Sequence, residues 1–550
     1  MIDRLILWCN RNRGLVFIAL AAAVCAGVYS LAHVSLDALP YLSDPQVIIH
    51  AQWSGQPPNI IEDQVTYPIV ARMLGAPEVK AVRAQSMPGD AFIYVIFEDG
   101  VNMSRARARV LECLRQLSGR LPAGVTPVLG PDATAAGWVY EYVLLDRSGR
   151  HSLADLRALQ DSSLRYALEA TPGVAEVASI GGFVREYQVR LDPQRMFALG
   201  LSLRLVIDKI RANNGESGGG EIDANGATYL VRGLGYIRSL SDLEKIAVAY
   251  RHGVPVLLRD LGQITFGPGS RRGVADWNGA GEVVAGIVIM REGENALTVI
   301  RRIKRTIGRL QKSLPAGVDI VPAYDRSEFI GGSIATLARA LLEESLVVSL
   351  VTIVFLLHFR SALVPIISIP CALLISFIPM YLCGISVNIM SLGGFILAIG
   401  ALVDASIVIV ENAHRRWADC LAGWRGAKVE PPPDRDRVLI DSAREVGRPI
   451  FYAVLIVAAS FLPILLLEAR EGRMFRPLAY AKTFAIVASA IIAVGVAPLL
   501  MAMMCGDRVR AESENPVSRL CRRLYLPVVR WCLDHRKLTV AAIAAMTVAG

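Results

Sequence analysis

The sequence predicts an α+β membrane protein, a polytopic helical bundle carrying a large α/β portion outside the bilayer. Three observations predict it. First, six apolar windows approach the ~20 residues a helix needs to cross a bilayer. They lie at 14–33, 345–359, 361–382, 388–411, 449–468 and 477–505, and a seventh opens at Leu538. Second, residues 34–344 are polar overall and alternate strand-like and helix-like runs. Third, Trp8-Cys9, Arg13 and Gly27 return 523 residues later as Trp531-Cys532, Arg536 and Gly550. Each copy is a basic flank followed by an Ala-rich apolar run. A repeat of that period is not a solenoid; it suits a transporter of two similar halves. The expectation is a first half plus the opening helix of the second. The first window, with its basic flank and small residues near Ala32, also reads as a signal peptide; the repeat favours a retained membrane helix.

The chain has 550 residues, of which 53% are hydrophobic and 19% charged, which excludes a disordered chain and a purely soluble one. The net charge of +9 would suit nucleic-acid binding if it were spread over the soluble portion. It is not. With residues 1–13 in the cytoplasm, the segments on that side are 1–13, Arg360, 412–448 and 506–537. Together they carry the entire excess, as the positive-inside rule requires. No nucleic-acid partner is expected. Pro516–Lys537 places Arg519, Arg522, Arg523 and Arg530 on a helix that reads equally as a membrane-surface helix or a soluble linker. Of nine cysteines only Cys113 lies well inside the soluble portion, and no CxxC pair occurs. Neither structural disulfides nor a zinc site is expected.

The soluble portion repeats one pattern. Gln46–Trp53 is strand-like, Asn59–Met73 helical with Pro68 interrupting it, and Glu78–Gln85 and Ala91–Phe97 flank a Pro88-Gly89-Asp90 turn. Met103–Leu117 is a basic amphipathic helix and Thr126–Leu129 a last strand. That order is β-α-β-β-α-β, the split ferredoxin-like pattern. It returns as Val139–Leu145, Leu153–Leu168, Val174–Ser179, Glu282–Met290, Ala296–Leu310 and Val318–Pro322. Leu121-Pro-Ala-Gly-Val125 and Leu314-Pro-Ala-Gly-Val318 close the two units alike. An insertion at about 183–271 brings its own strands, a helix at Leu203–Asn213 and the run Asn213-Asn-Gly-Glu-Ser-Gly218-Gly219-Gly220. No GK[ST] follows, so this is not a phosphate loop. It reads as a flexible extended hairpin able to reach a neighbouring subunit.

The chemistry is concentrated in the fourth window. Asp404 lies well inside it, where an ionisable group costs at least ~3 kcal/mol and is rarely idle. Gly393, Gly400, Asp404 and Glu411 are spaced 7, 4 and 7 and share one helical face. The glycines, with Gly394 beside them, would admit another helix closely. A carboxylate so placed can load and release a proton as its surroundings change; the alternative is a static ion pair. Glu411, at the helix end, reads as a second relay group, a solvated residue or a cap. Lys482 is a candidate cation for Asp404, with snorkelling to the surface the favoured reading. Met501, Met503, Met504 and Cys505 offer soft donors for a metal, although packing or lipid contact is the favoured reading. The chain has no Walker A sequence and no HExxH, and neither ATP-driven nor enzymatic chemistry is expected, nor a resident cofactor.

Several phrases together resemble the RND superfamily of proton-driven exporters, its heavy-metal efflux branch, and within that the Cus-type copper/silver exporters. They include Leu39-Pro-Tyr-Leu-Ser-Asp-Pro-Gln-Val-Ile-Ile49, Asp63-Gln-Val-Thr-Tyr-Pro68, Tyr94-Val-Ile-Phe-Glu-Asp-Gly100, Gly130-Pro-Asp-Ala-Thr134 and Val174-Ala-Glu-Val-Ala178. Asn388-Ile-Met-Ser-Leu-Gly-Gly394 and Val403-Asp-Ala405 through Glu411-Asn-Ala-His414 add to them. The resemblance implies a proton antiporter of a bacterial inner membrane, multi-pass, with a large periplasmic domain. It implies a homotrimer working with a periplasmic adaptor and an outer-membrane channel. Cu(I) or Ag(I) would be the transported substrate, taken from periplasm or cytoplasm, and the proton the coupling ion. Asp404 falls on the family's proton-relay acid and Glu411 on the second acidic position of its motif.

Residues 1–34 would then be the cytoplasmic N-terminus and first membrane helix. Porter subdomains would occupy 35–135 and 136–182 with 272–330, and a docking subdomain 183–271, whose hairpin at Gly218, Gly219 and Gly220 reaches the adjacent protomer. Helices two to six would fill 331–505, a cytoplasmic amphipathic helix 506–537, and the start of a seventh helix 538–550. Divalent-metal members carry Asp-Phe-Gly where this chain has Ala398-Ile399-Gly400, which favours monovalent metal. Met390 keeps one methionine of the family's membrane relay, but Leu402, Ile409 and Ile486 stand at the others. Either metal enters from the periplasm alone or the specificity differs. Two alternatives follow: efflux of divalent metals or amphiphiles by the same architecture, and a translocation auxiliary or receptor. Amphiphile exporters carry two adjacent aspartates where this chain has Val403-Asp404.

Overall fold

Every second side chain of β1 (Gln46–Gln52) is buried, and that alternation sets the first sheet. Val47, Ile49 and Ala51 face inward with Ile93, Val95 and Phe97 of β3 (Asp90–Phe97), against Ile61, Val65, Ile69, Val110 and Cys113. β2 (Val79–Met87) and β4 (Val128–Leu129) complete the order β2-β3-β1-β4, with every pair antiparallel. In this computed structural model the described residues are all except 1, 38, 39, 41, 134–136, 270, 272, 357, 358, 428–433, 505–515 and 550. Leu39, Tyr41, Thr134, Cys505 and Gly550, singled out above, lie outside them.

The helix expected at Asn59–Met73 is not continuous. It runs Pro58–Ile61, opens into a wide π turn at Glu62–Thr66, and resumes at Tyr67–Leu74. Pro68, which has no N–H to give, enters in the first turn of the resumed helix, where none is needed. Proline is not the whole cause. The matching helix of the second α/β part, Leu153–Glu169, has the same π turn at Gln160–Leu164 without one.

The chain forms two compact units, Met1–Val139 with Met290–Arg301 and Asp325–Gly550, and Tyr140–Ile289 with Arg302–Tyr324. In the second, β5 (Trp138–Asp146), β6 (Val174–Gly181), β13 (Ala275–Asp276), β14 (Glu282–Met290) and β15 (Val318–Asp325) form one sheet. Its order is β13-β14-β5-β15, with β6 also on β14. Both α/β parts end on the same turn. Val125 N donates to Pro122 O and Val318 N to Pro315 O, each at 3.1 Å, with Gly124 at φ +88° and Gly317 at φ +89°. Only glycine takes that third position of a type II turn without strain, which explains the repeated Pro-Ala-Gly-Val.

The insertion closes by antiparallel pairing of β7 (Arg185–Leu191) with β12 (Gly262–Pro268) and packs its own core around Val206, Leu243, Val248, Leu258 and Leu261. Between them lie the hairpin β8 (Ser217–Ala224) and β9 (Ala227–Gly233), then the pair β10 (Ala247–Arg251) and β11 (Val254–Leu257). The hairpin is exposed along its whole length. Gly218, Gly219 and Gly220 lie within β8 of this hairpin, at an irregularity between Gly218 and Glu221. The turn is Asn225-Gly226, at φ +52° and +78°. That dipeptide was the stronger hairpin signal, because both residues tolerate the left-handed conformation a tight hairpin demands.

The apolar windows are helices: α1 (Arg13–His33), α2 (Arg326–Leu356), α3 (Phe359–Leu382), α4 (Ile389–Ala427), α5 (Arg435–Ala459), α6 (Ala469–Gly495) and α7 (Ala497–Met504). Among the described residues five spans are long and apolar enough to cross a membrane: Arg13–His33, Leu363–Leu382, Ile389–Leu421, Arg435–Leu465 and Ala469–Gly495. α2 begins well before its apolar window, directly after β15, so strand and membrane helix join without a loop. α3 keeps Pro365, Pro370 and Pro379 in its interior. Ser368 and Ser376 donate to the carbonyls of Val364 and Leu373, the kind of local adjustment that lets membrane helices carry prolines. Pro516–Asp534 is a helix exposed along nearly all its length, with a new helix at Arg536–Ala549.

Two arginines join the helices to the segments around the first sheet. Arg326, opening α2, pairs with Asp37 at 3.2 Å, both side chains nearly fully buried. Arg473, in the second turn of α6, holds Asp44 just before β1 and Asp99 just after β3. Removing Arg326 leaves the buried Asp37 charge without that partner. Arg326→Met should therefore cost ~3–5 kcal/mol in detergent unfolding, and Arg326→Met with Asp37→Leu much less. The Arg473 guanidinium holds the Asp44 carboxyl below its ordinary value of 3.8. Its stabilisation is complete above that value and is lost as pH falls through the lowered one. Thermal unfolding followed from about pH 5 to about pH 2 should show a shallower acid limb in Arg473→Met than in the unmodified protein.

Candidate functional site

α4 starts on a reciprocal cap. Asn388 Oδ1 accepts from the N–H groups of Met390 (3.0 Å) and Ser391 (3.1 Å), and Ser391 Oγ accepts from Asn388 N at 2.7 Å. One face of the helix is buried through Leu392, Phe395, Ala398, Leu402, Ala405 and Ile409. The opposite face carries Leu397, Gly400, Asp404, Val408, Glu411 and Arg415, all exposed. The spacing argument therefore holds for Gly400, Asp404 and Glu411, and Gly393 joins them half-buried.

The three glycines divide. A Cβ on Gly394 would meet the backbone oxygen of Leu478 at 2.5 Å, so α4 and α6 touch there at backbone level. Gly393 and Gly400 have nothing within 4 Å of that position among the described residues. They are not packing glycines within this chain; they keep the Asp404 face smooth and open. Ser489 Oγ of α6 donates to Leu402 O at 3.2 Å, a second tie between the same helices.

Asp404 lines a shallow cavity of ≈ 170 Å³ with Ala401, Ala405, Val408, Ile450, Ala453, Val454, Val457 and Ile486. No hydrogen bond or ion pair joins its carboxylate to another described residue. The walls from α5 and α6 were missed in the sequence; the small residue Ala453 and Val457 one turn later were the available signal. Lys482 does not serve Asp404, since its Nζ lies 3.7 Å from the centre of the Phe461 ring. Glu411 stands two helical turns from Asp404, about 10 Å along the axis, and is exposed. Next to it Asn412 donates to Ser442 O at 2.9 Å, and Arg416 pairs with Glu445 at 2.6 Å, binding the ends of α4 and α5.

The sulfur donors do not gather. Met501 is fully buried, Met503 is exposed, and Met504 lies between, so they diverge around α7. Met390 is half-buried in the first turn of α4, while Leu402, Ile409 and Ile486 are buried and apolar. Among the described residues no cluster of three His, Cys, Asp or Glu side chains forms a metal site.

Residues 10–550 match the model of the AcrB/AcrD/AcrF family. The chain belongs to that family. It is 48% identical over its whole length to the cation efflux system protein CusA of Escherichia coli strain K12. It is 44% identical to the putative cation efflux system protein SilA of Salmonella typhimurium, and 34% identical to the cation efflux system protein CzcA of Alcaligenes sp. strain CT14. The chain spans about half the length of these relatives, 52% in each case. It is similar to a crystal structure of a heavy metal efflux pump, with a TM-score of 0.79 and 30% identity, covering 90% of this chain and 48% of that one.

Open space and close approach give opposite expectations for the site helix. Gly394→Ala must push apart two backbones and should cost ~1–3 kcal/mol in detergent unfolding. Gly393→Ala and Gly400→Ala, measured the same way, should be neutral or stabilising by up to ~1 kcal/mol.

Proposed function

We propose that the chain is the inner-membrane portion of a proton antiporter that exports heavy-metal cations, most specifically Cu(I) and Ag(I). The carrying observation is Asp404, an ionisable group on an otherwise apolar stretch of a membrane-length helix. A group this costly to place is retained for charge movement rather than packing. Asp404 takes a proton from one side and releases it to the other, and the change of charge alters which surroundings its face of α4 tolerates. Glu411 is the next acceptor toward the cytoplasm. Membership of an efflux-transporter family and 48% identity to CusA support this reading.

The rest of the assembly follows as part of the proposal. The two split α/β parts are periplasmic porter subdomains at 35–135 and 136–182 with 272–330. The insertion 183–271 is the docking subdomain, its β8–β9 hairpin set against the next protomer of a homotrimer. A periplasmic adaptor and an outer-membrane channel complete the path. Metal choice rests on two residue differences. Ala398-Ile399-Gly400 replaces the Asp-Phe-Gly of divalent exporters, and thioethers such as Met390 suit soft monovalent ions. Export of divalent metals is the second reading, supported by the 34% identity to CzcA.

In the complete protein, Asp404→Asn should reduce copper and silver resistance to that of cells without the transporter, with expression and assembly intact. Retained resistance would remove Asp404 from the mechanism. Binding of Cu(I) or Ag(I) in preference to Zn(II) by the purified full-length protein separates the two metal readings.

A further inference from the structure

The helix that packs most intimately on the Asp404 helix is also the one that grips the first sheet. α6 meets α4 at the Gly394–Leu478 backbone approach and at the Ser489–Leu402 hydrogen bond, and its Ile486 lines the Asp404 cavity. In its second turn, five residues before Leu478, Arg473 is largely enclosed. One Nη donates to Leu42 O at 3.3 Å and to Ser43 O. The other donates to Asp44 and, at 2.8 Å, to Asp99. Asp44 lies two residues before β1 and Asp99 two after β3. These are the central strands of the sheet, and they pair there as Gln46 with Ile96. A single planar guanidinium thus ties the ends of both central strands to one membrane helix, a geometry that a lysine ammonium does not reproduce. Lys80 and Arg470 add positive charge near Asp44, and no other charged side chain lines the Asp404 cavity.

We propose that Arg473 is a positioning residue that transmits displacement of the α4–α6 pair to the β1 and β3 ends of the first sheet, coupling the charge state of Asp404 to the soluble portion. This rests on the proton-relay reading of Asp404 and adds the element that carries its effect outward. A rigid helix held along its length moves as a body: the backbone contact at Gly394 and the Ser489 bond near its far end resist sliding of α6 on α4, and the forked bonds of Arg473 resist separation from the strands. Spatial adjacency alone is not coupling, so the test measures coupling itself.

Hydrogen exchange of full-length protein in lipid nanodiscs is followed in peptides covering 42–48 and 94–99. Asp404→Asn, a fixed neutral form, is introduced with Arg473 intact and with Arg473→Lys or Arg473→Ala. With Arg473 present, Asp404→Asn should change exchange in both segments by about fivefold. With either Arg473 variant that response should vanish. Asp99→Asn should remove the response at 94–99 and keep it at 42–48, a segment-specific result that general destabilisation does not produce. An equal response with and without Arg473, or none in either background, overturns the proposal. Metal transport measured in parallel tests the function reading separately, because the exchange experiment requires no transport.

Discussion

The backbone-level approach of α4 to α6 at Gly394 organises the rest of the membrane part. Without a side chain at that position the two helices come close enough for Ser489 to reach the Leu402 carbonyl across the interface. Lipid supplies no hydrophobic drive for helix association, so van der Waals contact at such small residues must. Once that face of α4 is committed to α6, its opposite face is left for Asp404, Gly400 and Glu411. An acidic residue one position earlier would sit on the buried side, where Val403 is. Packing and chemistry are thus divided by a single residue step of one helix, about a quarter of a turn.

The same economy of contact explains why the sequence repeat marks Gly27. A Cβ there would collide with the backbone of Leu374, so α1 and α3 meet as α4 and α6 do. In the soluble portion the duplicated features are likewise backbone constraints. The Pro-Ala-Gly-Val turns survive in both α/β parts because glycine alone relaxes at φ near +88°. The π turns at Glu62–Thr66 and Gln160–Leu164 occur in unlike sequences, each with a polar pair across to the adjacent strand: Thr66 with Ser86 at 2.9 Å, and Gln160 with Ser179 at 3.3 Å. In the second the fully buried Gln160 also accepts from Tyr142. A polar side chain held at the widened turn is common to both copies, and proline is not.

The charges follow a related division. Basic residues in excess lie on the proposed cytoplasmic side, where they set orientation by number rather than by partner. On the opposite side two arginines act by geometry. Arg326 and Arg473 each bind acids far away in sequence, at the places where membrane helices meet strand ends. Soft sulfur ligands, by contrast, are sparse along the described helices, and those of α7 diverge.

The sequence by itself determined the membrane helices, the split β-α-β-β-α-β order of both α/β parts, the insertion within the second of them, and the shared face of Gly400, Asp404 and Glu411. These are periodicities, fixed by how a helix or strand presents successive side chains, and they need no knowledge of what packs where. Only the tertiary structure decided which glycine is a contact and which is open, that Lys482 lies over Phe461, that the α7 methionines diverge, and that Arg473 spans Asp44 and Asp99. Each depends on a partner tens to hundreds of residues away or on the opposite side of a helix. Local spacing places a side chain on a face; the fold alone brings another surface to meet it or leaves it bare.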